Sequence, residues 1–356
     1  MSLDAIDQPT GVRKGEELDT ELLQSYLREK LGTNGQLNIQ QFPSGFSNLT
    51  YMLQFGDREY VLRKPPHGAN IKGGHDMGRE YRMLSMLQPV YPYVPTPVLY
   101  EEDPEILGGT FYIMERVKGV ILRSKPPKGV DLNPELMKSI STAAVDHLAA
   151  LHQLDLGENN LSTLGKPEGY VQRQVDGWIG RYEKAATDDI LSMNEAAVWL
   201  RTHMPKTQKA SLIHNDYKYD NLVLHPYQLS TIQAVLDWEM ATIGDPLMDL
   251  GTTLGYWGEF GDTDTLKPFN LTWIPGNLTR AEVVSRYEEK TGLDCSEIVF
   301  YYVFGSFKIG VIVQQIYSRY RKGFTQDPRF SALIHVVRAC AQNAASAIAS
   351  GRISNF

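Results

Sequence analysis

Residues 212–224 read Leu-Ile-His-Asn-Asp-Tyr-Lys-Tyr-Asp-Asn-Leu-Val-Leu. Leu212 and Ile213 bring the backbone in along an apolar run, and Leu222, Val223 and Leu224 carry it out along another. Between them stand residues 214–221, a cluster of His, Asp, Lys and Asn. A polar run flanked by two strand-like apolar segments is a loop pinned at the edge of a core, the usual way a scaffold presents functional groups. The spacing is more telling than the composition: His214, Asp216, Lys218 and Asn221 fall in the order His-x-Asp-x-Lys-x-x-Asn.

That spacing resembles the catalytic loop of kinases, with Asn215 standing where protein kinases carry Arg. Phosphoryl transfer asks for a positioned acceptor hydroxyl, neutralised phosphate charge and a held metal. Asp216 is suited to orient the hydroxyl and accept its proton, and Lys218 to reach the transferred phosphate. Asn221 offers a neutral oxygen to Mg²⁺, which prefers hard oxygen donors. His214 is expected to tie the loop down by hydrogen bonds. The bland alternative is a polar turn with an Asx cap and a solvated lysine.

A second metal ligand should follow on an adjacent strand end. Val-Leu-Asp-Trp-Glu at 235–239 supplies it, an apolar run that ends in a carboxylate. Asp237 is the main Mg²⁺ candidate and Glu239 a second or water-mediated one. Asp245 beside Pro246 reads as a helix N-cap, and Asp249 as a brace for the catalytic loop.

The pattern His214-Asn215-Asp216-x₄-Asn221, followed by Leu-Asp-Trp-Glu-Met-Ala-Thr-Ile-Gly-Asp-Pro at 236–246 and Asp249-Leu250, resembles the aminoglycoside phosphotransferase/choline kinase family. It is most similar to the branch found alone in bacteria or fused to acyl-CoA dehydrogenases. The resemblance implies an α+β, two-lobed, protein-kinase-like fold with a small sheet-rich N-lobe and a larger helical C-lobe. It implies transfer of the γ-phosphate of ATP or GTP to small-molecule hydroxyls.

Upstream parts are read beside it. Pro-Ser-Gly-Phe-Ser-Asn at 43–48 looks like the family's nucleotide loop, with Gly45, Ser47 and Asn48 as phosphate contacts. Tyr-Val-Leu-Arg-Lys at 60–64 occupies the place of the kinase Val-Ala-Ile-Lys strand. Strand alternation puts only one of Arg63 and Lys64 on the face of Val61, which favours Arg63 for the phosphates. Glu80 shares the apolar face of helix 76–88 with Met77, Leu84 and Leu87, so it needs a cationic partner. Arg63 is that expected partner; Arg79 and Arg82 are the local alternatives. Backbone groups near Glu115 and Val117 are expected to read the nucleotide base.

Around these motifs the organisation is simple. Residues 1–20 read as a flexible tail, 21–118 as the nucleotide-binding N-lobe and 119–356 as the helical C-lobe with the catalytic loop and acceptor site. A helix over 22–31 should end at Gly32, and Gly-Asp-Arg at 56–58 reads as a hairpin turn. Residues 67–75 read as a mobile loop. Asn133 with Pro134 predicts a helix start running to about His152, and Ser192 with Glu195 predicts a capping box for 193–203. Gly323 and Gly351 read as helix stops, and Asp327-Pro328 as a helix start. His147 and His152 read as core or helix-end residues.

The 356 residues carry a formal charge of −7, a hydrophobic fraction of 42% and only two cysteines, Cys295 and Cys340. The acidic balance argues against a nucleic-acid partner. Two cysteines make no disulfide framework and fit a reducing, cytoplasmic setting. The stretch 298–313 is too short to span a membrane and contains Lys308, so it reads as a buried core helix.

For the acceptor, the basic residues after 300 (Lys308, Arg319, Arg321, Lys322, Arg329, Arg338 and Arg352) point to a small hydroxylated molecule with an anionic group, such as a hydroxy acid or hydroxyacyl-CoA. A polycationic aminoglycoside would call for carboxylates instead. Solvated helix faces, an aminoglycoside or amino-alcohol kinase, and a non-catalytic nucleotide-binding module are the competing readings.

Overall fold

The computed structural model describes residues 5–32, 34–43, 48–66, 75–205, 209–325 and 327–354. The expected nucleotide-loop residues Gly45 and Ser47, and most of the 67–75 loop, lie outside the described residues.

The N-lobe forms around five antiparallel strands in the order β1-β2-β3-β5-β4. They are β1 (Leu37–Gln41), β2 (Leu49–Phe55), β3 (Arg58–Lys64), β4 (Pro97–Glu101) and β5 (Phe111–Glu115). Their alternation sorts side chains onto two faces. Tyr51, Leu53, Phe55, Tyr60 and Leu62 pack with Leu23 and Leu27 of α1 (Thr20–Leu31). Met52, Val61, Tyr112 and Met114 join Met77, Met83, Leu84 and Leu87 of α2 (Met77–Leu87) in the larger core. Gly32 ends α1 in the left-handed conformation that a side chain disfavours. Val61 and Arg63 therefore face α2, while Lys64 faces away and donates from Nζ to Leu107 O at 2.8 Å. Leu107 ends the short α3 (Pro104–Leu107).

The expectation of a loose N-terminal tail is corrected for residues 5–19. Asp7 donates its amide to Gly119 O at 3.0 Å and pairs with Arg123, Thr10 bridges Gln41, and Tyr51 donates to Glu16 O at 2.7 Å. This segment ties the sheet to the chain beyond it. At that crossing Val120 exchanges backbone hydrogen bonds with Leu224, and a β-carbon on Gly119 would lie 2.3 Å from Leu224 O.

The C-lobe follows as α4 (Pro134–His152), α5 (Tyr170–Ala185), α6 (Leu191–Thr202), α7 (Pro246–Tyr256), α8 (Arg280–Thr291), α9 (Ile298–Arg321) and α10 (Leu333–Ser350). Asn133 caps α4 as expected, accepting from Leu136 N, with Pro134 in its first turn. The Ser192–Glu195 capping box does not form. Helix α6 begins earlier, at Leu191, with no side-chain cap, because buried Ile190 and Met193 anchor its start.

Helix α9 is long and apolar enough to cross a membrane, but 78% of its apolar window is buried against α10, α7 and α5. It crosses α7 with glycine on both sides: a β-carbon on Gly305 would lie 2.0 Å from Gly251 O. Gly305→Ala gains at most about 1 kcal/mol of helix propensity. The clash is with backbone, so overpacking wins, and a net loss of about 1–3 kcal/mol is expected in denaturant unfolding.

Candidate active site

The polar loop is held by diverging strands. Its entry, β6 (Ser211–Ile213), pairs with β9 (Thr242–Gly244), whereas its exit, β7 (Leu222–His225), pairs with β8 (Gln228–Val235). The two flanking strands thus pair with different partners rather than with each other.

Asp249, fully buried in the first turn of α7, fixes the loop's start. Its Oδ2 accepts from His214 N at 2.6 Å and its Oδ1 from Asn215 N at 2.8 Å, with His152 Nε2 at 3.1 Å. Burial raises this carboxyl, but His152 and the donors outweigh it and hold it below the usual carboxylate range. Asn215 takes φ +68°, a left-handed conformation that asparagine tolerates better than most residues. His214 Nε2 donates to Leu236 O at 2.8 Å while Nδ1 accepts from Asp216 N at 3.2 Å, the pattern of a neutral ring. The scaffold readings of His214, Asp249 and Asp245, which accepts from Leu247 N, agree with this geometry.

Asp216 is half-buried. Lys218 Nζ lies 2.9 and 3.1 Å from its two oxygens, and Asn221 Nδ2 donates to Asp216 O at 2.8 Å and Oδ2 at 3.1 Å. The Asn221 amide nitrogen is thus committed to the loop, leaving its oxygen for a ligand. Lys218 also stands 4.7 Å over the Tyr256 ring. Burial opposes its charge, but Tyr256 and Asp216 carry it above the ordinary lysine value.

Leu236 N donates to Asn221 O at 2.8 Å, which sets Asp237 beside Asn221. Asp237 itself is left-handed at φ +67°. A non-glycine residue held there marks a site fixed by its surroundings. Arg63, buried on β3, forms an ion pair with Glu80 and lies 3.1 Å from Asp237 Oδ1 and 3.7 Å from Glu239 Oε2. Burial opposes the guanidinium charge, yet Glu80, Tyr112 and Asp237 push it well above its ordinary value. Asn48 Nδ2 donates to Glu239 Oε2 at 2.8 Å, and Arg79 donates to the carbonyls of Glu239 and Ala241. Burial and the Asp237 charge push Glu239 up to about 8.

Carboxylates of Asp237 and Glu239 beside the Asn221 amide form an all-oxygen donor set, the chemistry Mg²⁺ selects. Their crowding, partly offset by Arg63, fits a site built to receive a cation. Among the described residues no group of three or more His, Cys, Asp or Glu is placed to hold a metal ion. At the hinge, the amides of Glu115 and Arg116 are already engaged, with Thr96 O at 2.8 Å and Glu59 O at 3.2 Å.

Against the other side of the loop opens a cavity of about 280 Å³, lined by Asn215, Tyr170, Trp178 and Met240 with Arg79, Lys166, Arg173, Arg181 and Lys308. Of the basic residues after 300, only Lys308 lines it. Arg329 pairs with Asp327 at the surface, and Arg321 bonds Tyr317. The basic character of this cavity thus comes mostly from α2 and α5, not from the residues after 300. One cue to it stands in the primary structure: Lys308 is the lone charge between Ile298 and Tyr317.

A family model described as the phosphotransferase enzyme family matches residues 38–282. Mouse acyl-CoA dehydrogenase family member 10 is 35% identical over 314 residues, covering 86% of this chain and 29% of that protein. The chain therefore spans less than a third of that relative's length. A Ralstonia eutropha structure provisionally described as an aminoglycoside phosphotransferase superposes with TM-score 0.74 and 29% identity, over 93% of this chain and 99% of that one. Choline kinase from Cryptosporidium parvum superposes with TM-score 0.65 at 14% identity, over 94% and 97% of the two chains, a likeness of fold.

Proposed function

The chain belongs to the phosphotransferase enzyme family, and on that premise we propose that it moves the γ-phosphate of ATP, or GTP, to the hydroxyl of a small molecule. The observation that carries this reading is a chain of contacts: Arg63 pairs with Glu80 and Asp237, and Leu236 beside Asp237 bonds Asn221 of the loop in which Lys218 meets Asp216.

Asp216 orients the acceptor hydroxyl and takes its proton. Lys218, held against Asp216, answers the charge of the transferred group. Arg63, oriented by Glu80, contacts the nucleotide phosphates, and Asn48 sits beside it through Glu239. The Val117 amide and nearby carbonyls read the base, since the Glu115 and Arg116 amides are engaged. Asn221 and Asp237, with Glu239, would hold Mg²⁺, which would supply neutralisation of the phosphate charge. Gly45 and Ser47 complete the phosphate contacts in this proposal.

Arg63 and Lys64 separate cleanly in a test. Arg63→Lys keeps the charge but loses the fork between Glu80 and Asp237. Losing one charge-assisted hydrogen bond costs about 1.5–3 kcal/mol, or about 10–100-fold in kcat/KM for ATP. Lys64→Arg should stay within a few-fold, because its partner is the Leu107 carbonyl on the far face. Equal losses in the two variants would contradict the assignment.

The acceptor we put forward is a hydroxy acid or a hydroxyacyl thioester. Support comes from the acyl-CoA dehydrogenase family relative and from a cavity lined by cations, where an aminoglycoside would want carboxylates. A screen of Mg²⁺-dependent phosphorylation with ATP and GTP across hydroxy acids, hydroxyacyl-CoAs, amino alcohols and aminoglycosides tests it. Turnover of aminoglycosides alone would overturn the acceptor class; nucleotide binding without turnover of any acceptor would favour a non-catalytic module.

A further inference from the structure

We infer that the cavity behind Asn215 is an anion-binding subsite, and that it holds the carboxylate or phosphate group of the molecule whose hydroxyl meets Asp216. The first half stands on the cavity alone; the second rests on the phosphotransferase reading above.

The charge balance carries the argument. Among the described residues, five cationic side chains line the cavity and no carboxylate does. Two buried arginines elsewhere are neutralised by acids: Arg63 meets three, and Arg280 meets Glu259 and Asp262, whereas buried Lys64 is held by the Leu107 carbonyl. Around this cavity the partners are neutral. Arg79 is held by the carbonyls of Glu239 and Ala241, and Arg173 by those of Lys166 and Glu168. The Arg181 guanidinium lies 4.6 Å over the Trp178 ring. Lys308 is 2% exposed and donates to Asn215 O at 2.7 Å. Among the described residues none of the five forms an ion pair.

Solvent screens the exposed Lys166, Arg173 and Arg181, so the cost of like charges without a counter-ion falls on Lys308, the one of the five that is out of water. Burial pulls Lys308 down to about 8 even with Asp216 and Asp249 supporting its charge. An anion in the cavity removes that cost. Guanidinium groups favour the planar or tetrahedral oxygens of carboxylate and phosphate. Trp178 and Met240 give an apolar wall for a short carbon chain. Asn215 and Lys308 line the cavity, and the Asp216 charge acts on Lys308, so an anion bound here lies close enough for the rest of a small molecule to reach the Asp216 carboxylate in this proposal. At about 280 Å³ the space suits the anionic end of a small molecule better than a whole nucleotide.

The same chemistry has two sources, the acceptor's own anionic group or a phosphate of the nucleotide, and the test separates them. Inorganic phosphate and succinate are titrated calorimetrically into the full chain without nucleotide, in wild type and in an Arg173→Gln/Arg181→Gln double variant. Both residues are exposed on α5, so the variant is expected to keep its fold, checked by its unfolding midpoint. Saturable binding weakened tenfold or more in the variant is the expected result; equal binding, or none in wild type, overturns the subsite. Mg·ATP affinity is measured in parallel. Affinity retained within threefold assigns the cations to the acceptor, and a parallel tenfold loss assigns them to the nucleotide and overturns the second half. Where turnover is present, 3-hydroxybutyrate is compared with 1,3-butanediol, which shares its secondary hydroxyl but lacks the carboxylate. Wild type should favour the hydroxy acid in kcat/KM and the variant should lose that preference; an unchanged preference counts against the proposal. Absence of turnover with either compound would count against the phosphotransferase reading and leave the calorimetric result to decide the subsite.

Discussion

Asp216→Asn is expected to lower kcat by about 10²–10⁴-fold, the range a positioned general base contributes. The substitution keeps the shape of the side chain but removes its charge, and with it the ability to take a proton and the ion pair with Lys218. Asp216 is half-buried and its partners, Lys218 and the Asn221 amide, come from the same loop. The fold and the affinity for Mg·ATP should therefore survive. Steady-state kcat alongside the thermal midpoint checks this; a variant with near wild-type turnover would show that the proton leaves by another route.

Asp237→Asn is expected to cost as much by a different mechanism. Asparagine tolerates the left-handed backbone at this position, so the loop keeps its course. What is lost is the charged oxygen donor of the proposed metal site, and with it one acid facing Arg63, which retains Glu80 and Glu239. If the metal contributes about 4 kcal/mol of charge stabilisation, transfer falls about 10³-fold. A Mg²⁺ titration discriminates: the half-saturating concentration should rise steeply, and the Mg²⁺-dependent part of ATP affinity should shrink. An unchanged Mg²⁺ profile would move the metal away from Asp237.

Both residues are legible in the amino-acid sequence because their chemistry is local. The spacing within 214–221 places Lys218 and Asn221 on Asp216, and the carboxylate after the apolar run 235–236 meets Arg63. Arg63 over Lys64 is equally local, since strand alternation alone decides it, and so is the Asp245 cap, which needs only a proline beside it. Glu80 is legible by a different logic, since a carboxylate on an apolar helix face must find a cation.

What the chain order hides is whatever depends on distant backbone. Residues 5–19 look like a tail because their partners, Gly119, Arg123 and Gln41, lie far along the sequence. The Ser192–Glu195 pair has the right spacing for a cap, but burial of Ile190 and Met193 starts the helix sooner. The cationic cavity draws on α2, on Lys166 ahead of α5, on α5 and on α9, so no single window of sequence contains it. Only Lys308, the lone charge between Ile298 and Tyr317, carries a hint of it.

Whether residues 214–221 and Asp237 form a phosphoryl-transfer centre is decided most directly by following the phosphate itself. ATP labelled with ¹⁸O in its terminal phosphate is incubated with Mg²⁺ and the hydroxylated acceptor panel, with wild type and with Asp216→Asn, and the products are weighed by mass spectrometry. Labelled phosphate should appear on an acceptor oxygen with wild type, at least about 10²-fold faster than with the variant. Labelled phosphate released only to water, or transferred equally fast by both proteins, would contradict that assignment.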